Sequence, residues 1–245
     1  MRKELFGIPL EGLDLATIQK SLLSREPADG PFWIVTTNAE ILLEAHRDAT
    51  YANVLKQADL RIVDGSGPEW MLRLRGHRVT RVTGGALTEE LLKLAQEKSW
   101  KVGLIGAGEG IAEKAKRNIE KRFPNLVISA ERGGRVDRAG MDDATGEEAR
   151  QRLTLFAPDV LLVAFGHPKQ EQWILRYMRD FPTLKVVVGV GGVLNVLAGA
   201  VKPAPQLMHA LGLEWLWRLI LEPRRIGRIV RAVVIFPMSV LWSWI

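Results

Sequence analysis

The 245-residue chain is 47% hydrophobic and 25% charged, the balance of a folded globular protein with a sizeable core, which excludes a disordered or collagen-like chain. It contains no cysteine, so a disulfide framework and thiolate metal sites are excluded. Of the net charge of +6, Lys202, Arg218, Arg224, Arg225, Arg228 and Arg231 against Glu214 and Glu222 put +4 in the last 44 residues.

From Met1 to Pro9 the chain has charges and helix breakers where a secretory leader places its apolar run, so a cytoplasmic protein is expected. Apolar, β-branched runs then recur. Phe32–Thr36 leads into Thr37-Asn38-Ala39-Glu40, and Leu60–Val63 into Asp64-Gly65-Ser66-Gly67. A helix-period segment spans Ala86–Lys98. The run Lys101–Ile105 precedes Gly106-Ala107-Gly108-Glu109-Gly110 and a helix over Gly110–Arg122. Leu126–Ser129 and a helix over Gly146–Phe156 follow. Asp159–Phe165 ends in Gly166-His167-Pro168-Lys169-Gln170-Glu171, opening a helix over Pro168–Arg179, and Lys185–Val190 ends in Gly191-Gly192. Continuously apolar strands alternating with helices predict an α/β fold: a mostly parallel, Rossmann-like sheet with helices on both faces. The alternation stops near Lys202-Pro-Ala-Pro, which divides the chain into an α/β catalytic domain, 1–201, and a basic, tryptophan-rich helical appendage, 202–245.

In an open parallel sheet, ligands bind beyond the carboxyl ends of the strands. Asp64 stands at such an end, and the glycines after it let a substrate approach closely. A carboxylate desolvated there is suited to act as a general base, although capping or an Asx turn would use the same residue. Asn38 has an ordinary capping role open to it as well. The glycine turns at Gly106–Gly110 and Gly189–Gly192 precede helix starts and could each bind phosphate, together suiting a nucleotide diphosphate. A dinucleotide-dependent oxidoreductase would use Gly106–Gly110 with Glu131, but the third glycine of its fingerprint comes one residue early. His46, His77, His167 and His209 have no ligand spacing and there is no Asp-x-Asp, so chemistry without a metal or other cofactor is expected. Asp142-Asp143 reads as a helix N-terminus.

In the appendage, Pro223 should end one helix and open the next. At 100° per residue, Arg224, Arg225, Arg228 and Arg231 share one face, and Ile226, Ile229, Val230, Val233 and Val234 the other. The last uncharged run, Ala232 to Ile245, contains Pro237 and is short of the roughly 20 residues that cross a bilayer. The expectation is an amphipathic helix lying in a membrane surface, the alternative a helix docked on the body. A nucleic-acid partner is not expected, and a homo-oligomer is left open.

Thr36-Thr37-Asn38-Ala39-Glu40, Asp64-Gly65-Ser66-Gly67, Val163 to Trp173 through Pro168-Lys169-Gln170-Glu171, Gly189-Val190-Gly191-Gly192 and Leu211 to Arg218 together resemble the WecG/TagA/CpsF family, glycosyltransferase family 26. The resemblance runs in order from Leu5 to about Arg231. It implies an inverting, metal-independent transfer of an N-acetylmannosamine-type sugar from a UDP donor to the 4-hydroxyl of N-acetylglucosamine on undecaprenyl diphosphate. The setting it implies is cell-surface polymer synthesis (wall teichoic acid, common antigen or capsule) at the cytoplasmic membrane face. By the same resemblance Asp64 is the base, Thr36, Asn38 and Gln170 contact substrate, and Arg218, Arg225 and Arg228 meet the lipid or leaving diphosphate. The UDP would lie against Gly106, Gly108, Gly189, Gly191, Gly192 and Asn195. Two departures leave another UDP-hexose open as donor: Asn195 stands where the family often has an acid, and Thr80-Arg81-Val82-Thr83-Gly84-Gly85-Ala86 lacks two usual carboxylates. A non-catalytic membrane scaffold would require Asp64 to have no chemical role.

Overall fold

The computed structural model describes residues 3–205, 207–208 and 211–244, without the side chains of Pro27, Arg218 and Arg225. A short antiparallel hairpin, β1 (Glu4–Leu5) and β2 (Ile8–Pro9), is followed by α1 (Leu15–Leu23). The main sheet then assembles from β3 (Phe32–Thr37), β4 (Leu60–Val63), β5 (Lys101–Gly106), β6 (Val127–Glu131), β7 (Val160–Ala164) and β8 (Val186–Gly189). Its order is β4-β3-β8-β7-β5-β6 and every pairing is parallel, so the sheet is more uniform than expected.

The continuous apolar runs are explained by burial on both faces. Trp33, Val35, Val63, Leu161, Val163 and Val187 point into one core, while Phe32, Ile34, Ile62, Leu162, Val186 and Val188 point into the other. The crossovers supply the helices α2 (Ala39–Arg47), α3 (Ala49–Lys56), α4 (Ser66–Leu74), α5 (Gly84–Lys98), α6 (Ile111–Arg122), α7 (Ala144–Phe156) and α8 (Lys169–Tyr177), and α9 (Val193–Leu197) follows the last strand. The long helices fall where periodicity puts them, within one or two residues. The helices α3 and α4 carry no expectation from the periodicity, and α2 realises the capping role open to Asn38; each begins at a signal that is local and small. Asn38 caps α2, accepting from the amides of Glu40 and Ile41, and Asp48 caps α3, accepting from Thr50 and Tyr51. Gly65, at φ +82°, opens α4.

The appendage consists of α10 (Glu214–Leu221), a 3-10 turn at Pro223–Arg225, α11 (Ile226–Val230), a π turn at Arg231–Ile235 and α12 (Phe236–Trp242). It packs on the body. Phe236 and Val240 are fully buried in the first core, with Phe236 edge-on to Phe6 at 6.0 Å. Its apolar residues are therefore divided between two surroundings: Phe236 and Val240 face the protein, whereas Ile226, Val230, Val234, Met238 and Trp242 are exposed at four-residue intervals. No described helix is long and apolar enough to cross a membrane.

Candidate active site

A cavity of about 1240 Å³ opens over the carboxyl ends of β3, β4, β7 and β8 and is closed on one side by the appendage. That is larger than the ~300–1,000 Å³ typical of a pocket for one small ligand. Asp64 lines it immediately after β4 and is part-buried. Its backbone N–H donates to the carbonyl of Thr37 at 3.0 Å, extending the β3–β4 ladder one residue past the strand. The pairing of Thr36 with Ile62 and Thr37 with Val63 brings the two strand ends level, so Thr36, Asn38 and Asp64 reach one wall although 28 residues separate the first from the last.

The polar groups around Asp64 are held by the protein itself. The Thr36 hydroxyl donates to the Gly189 carbonyl at 3.1 Å across to β8. The Asn38 Oδ1 is taken up by the α2 cap, leaving its amide hydrogens for a ligand. Gln170 is 4% exposed; its Oε1 accepts from Gly166 N at 3.1 Å and its Nε2 donates to Glu171 Oε1 at 2.8 Å. The other oxygen of Glu171 accepts from the Tyr51 hydroxyl at 2.9 Å. Glu171 is a fully buried carboxylate, and burial pushes its pKa up, with the Gln170 and Tyr51 bonds opposing. A side chain at Gly189 would lie 2.6 Å from Gln170 Nε2, so the glycine at the end of β8 is required by the packing of Gln170.

The remaining expected site residues divide. Gly189, Gly191, Gly192 and Asn195 line the cavity, as does Arg228. Gly106 and Gly108 do not; Ala107 between them does. At Gly106 an added Cβ would lie 2.9 Å from the Ala164 carbonyl carbon, so that glycine packs on the end of β7. Glu131, the acid an oxidoreductase reading would place on a ribose, is held by Arg152 through bonds of 2.9–3.2 Å. The side chains of Arg218 and Arg225 lie outside the described residues. Arg228 grips Glu40 of α2 with two bonds, 2.7 and 2.6 Å, which ties the appendage to the body at the cavity's edge. Arg81 does the same from the body, bonding Glu214 of α10 at 2.7 Å.

Other wall residues carry weaker sequence signals. The loop after β6 contributes Gly134, Arg135 and Asp142; its Gly133-Gly134-Arg135 turn is a sixth polar or glycine-bearing strand end, open to the same rule as the other five. Asp142 is fastened by Trp173 Nε1 at 2.6 Å and Arg150 Nε at 3.0 Å, and Asp143 caps α7. Burial raises the pKa of Asp142 against those two bonds. His167, also on the wall, makes no hydrogen bond within the described structure; burial lowers its pKa, Glu40 opposes and Arg228 adds to the lowering. Lys169, Lys202 and Arg135 add cations, and Trp70, Trp215 and Trp217 add aromatic surface. No group of three or more metal-ligating side chains occurs among the described residues.

A carboxylate on a rigid sheet end, cations on the same wall and room for two ligands suit group transfer between a charged donor and a hydroxyl acceptor. Comparison with known proteins agrees. Residues 3–245 match the Glycosyl transferase WecG/TagA/CpsF family. The chain is 36% identical over 205 residues to the N-acetylglucosaminyldiphosphoundecaprenol N-acetyl-beta-D-mannosaminyltransferase of Staphylococcus aureus strain MRSA252, covering 83% of this chain and 77% of that one. It is 35% identical, with the same coverage, to the protein of the same description from strain NCTC 8325 / PS 47. The chain is therefore a glycosyltransferase and belongs to the WecG/TagA/CpsF family.

Proposed function

We propose that the protein transfers N-acetylmannosamine, or a related hexose, from a UDP-sugar to the 4-hydroxyl of N-acetylglucosamine on undecaprenyl diphosphate, with inversion. The observation that carries this reading is Asp64, mounted on the sheet end inside a cavity large enough for both substrates. Asp64 takes the proton of the acceptor hydroxyl as its oxygen attacks the sugar C1; the bond from C1 to the phosphate oxygen breaks and UDP leaves. One displacement needs one base. Thr36, Asn38 and Gln170 orient the sugars, and the turn Gly189–Gly192 with Asn195 receives the nucleotide. Arg135, Lys169 and Arg228 offset the charge of the diphosphates, with no metal required. The alternative donors are other UDP-hexoses, because Asn195 presents an amide to the nucleotide side of the cavity.

We assign the enzyme to the inner face of the cell membrane, in synthesis of a surface polymer. The exposed series Ile226, Val230, Val234, Met238 and Trp242, beside the exposed Arg224 and Arg231, supports contact with a bilayer while Phe236 and Val240 stay in the core. The test is UDP release on mixing the protein with UDP-sugars and a short-chain lipid-diphosphate acceptor. Turnover with UDP-N-acetylmannosamine is expected; turnover only with a nicotinamide cofactor, or none with any UDP-sugar, overturns the reading.

A further inference from the structure

Beyond the catalytic cavity, a second group of cations gathers at the end of α4. This helix stops in a Schellman turn: Gly76 N–H donates to the Arg73 carbonyl at 2.9 Å and His77 N–H to the Leu72 carbonyl at 3.0 Å, with Gly76 at φ +80°. The turn gathers Arg73, Arg75 and Arg78 within six residues. A second, smaller cavity of about 380 Å³ lies here, lined by Arg73, Gly76, His77, Arg78 and Val79. His77 lines this hollow, and its Nε2 is buried with no hydrogen-bond partner among the described residues. Glu69, the acid near this cluster, is shared between Arg73 at 2.7 Å and Arg81 at 3.4 Å.

This cluster continues the surface of the appendage. A Cβ added to Gly67 at the start of α4 would lie 3.4 Å from the ring of Phe236 at the start of α12, and Arg75 at the end of α4 stacks over Trp244, 4.3 Å from its ring, just past the end of α12. The two helices thus run side by side in the same direction. Both carry large exposed apolar side chains, Trp70 (48%) and Leu74 (64%) on α4, Met238 (65%) and Trp242 (81%) on α12. Apolar residues beside arginines and tryptophan are the composition that lies at a bilayer's headgroup level.

We propose that the α4 terminus is an anionic-lipid headgroup site: Arg73 and Arg78 receive the phosphate of a membrane lipid while Leu74 and Trp70 enter the acyl boundary. The body then rests on the membrane through a second point beside the appendage, which fixes the orientation of the cavity mouth, where Trp70 also stands. The proposal builds on the membrane reading given above and adds to it a charge-selective contact on the body itself.

The experiment is vesicle co-sedimentation of the full chain on phosphatidylcholine alone and on phosphatidylcholine mixed with phosphatidylglycerol. Arg73→Gln with Arg78→Gln should lower partitioning onto the anionic vesicles by about 25-fold, at roughly 5-fold per arginine. Partitioning onto phosphatidylcholine and turnover of a soluble short-chain acceptor should not change. Met238→Ser with Trp242→Ser, in a separate chain, should weaken both kinds of vesicle binding. If only that second variant is impaired, the membrane reading stands and the headgroup site is overturned; if the unaltered chain binds neither vesicle, both fail. Saturable binding of inorganic phosphate that the arginine variant loses, with its vesicle binding unchanged, assigns the hollow to a free anion and overturns the lipid site. Should the double variant lose turnover, Arg78→Gln alone, exposed and outside every ion pair of the described structure, carries the same test at about 5-fold.

Discussion

The cavity has two kinds of wall. On the sheet side, each polar group sits on backbone that the sheet or a helix cap already fixes: Asp64 on the β3–β4 ladder, Asn38 in the α2 cap, Gln170 between Gly166 and Glu171. On the appendage side, the wall hangs from two buried side chains, Phe236 and Val240, and two ion pairs, Arg228–Glu40 and Arg81–Glu214. The first wall is suited to chemistry, which tolerates little displacement. The second is suited to admitting a bulky lipid-linked substrate, since the Arg228–Glu40 pair, whose arginine is half-exposed, contributes only about 0–1 kcal/mol and is screened by salt.

The sharpest way to break this contrast is at Asp64. Asp64→Asn should reduce turnover by about 100-fold or more, the range of a general base, with an unchanged melting curve. Near-normal UDP release from that variant would remove Asp64 from the reaction. The next effect concerns stability. Phe236→Ala should cost about 3–5 kcal/mol in denaturant unfolding, because a fully buried ring leaves a cavity behind. A loss under about 1 kcal/mol would mean that the appendage adds little to the core. For the same reason, membrane contact is better tested by surface substitutions in α12 than by cutting the chain after Arg231, which would strip the core of Phe236 and Val240.

Arg228→Gln is expected to separate the walls by kinetics: a raised KM for the lipid acceptor, with unfolding changed by less than about 1 kcal/mol, since the Arg228 side chain is 50% exposed. An unchanged acceptor KM would confine Arg228 to fastening the appendage. The smallest effect is a pH slope. Burial lowers the pKa of His167, with Glu40 and Glu44 opposing and Arg228 assisting, so the unfolded chain binds that proton more readily than the folded one. The stability contributed by its neutral ring is present above the ordinary imidazole value and is lost as pH falls through it toward the lower folded value. His167→Gln should flatten that part of the melting-temperature profile; an unaltered profile would show that another group sets the slope.

Much of the sheet side was legible in the sequence, because a strand buried on both faces must be apolar without interruption, and the residue after it is then a site candidate. Asp64 and Asn38 followed from that rule, whereas Thr36, the last residue of the apolar run Phe32–Thr36, entered through the family resemblance. It also applies to the turn after β6, where Gly133-Gly134-Arg135 reaches the cavity. The helices α3 and α4 were hidden because they are eight or nine residues long and their starts rest on single capping positions. The appendage was legible as amphipathic but not as to which apolar residues turn inward. That choice depends on Phe6 and Gly67, the partners of Phe236, which lie some 230 and 169 positions away in the chain.

The attachment of Asp64 has a mechanical consequence. Its amide forms the last rung of an edge strand, and the flank of that strand is covered by the leading segment, where Glu11 N–H donates to the Arg61 carbonyl at 2.9 Å and the Glu11 carboxylate answers the Arg61 amide at 2.8 Å. A change at Glu11, remote from either substrate, loosens the brace behind the carboxylate. Its signature is slower turnover at unaltered substrate affinity, as when a tool keeps its edge but loses its handle.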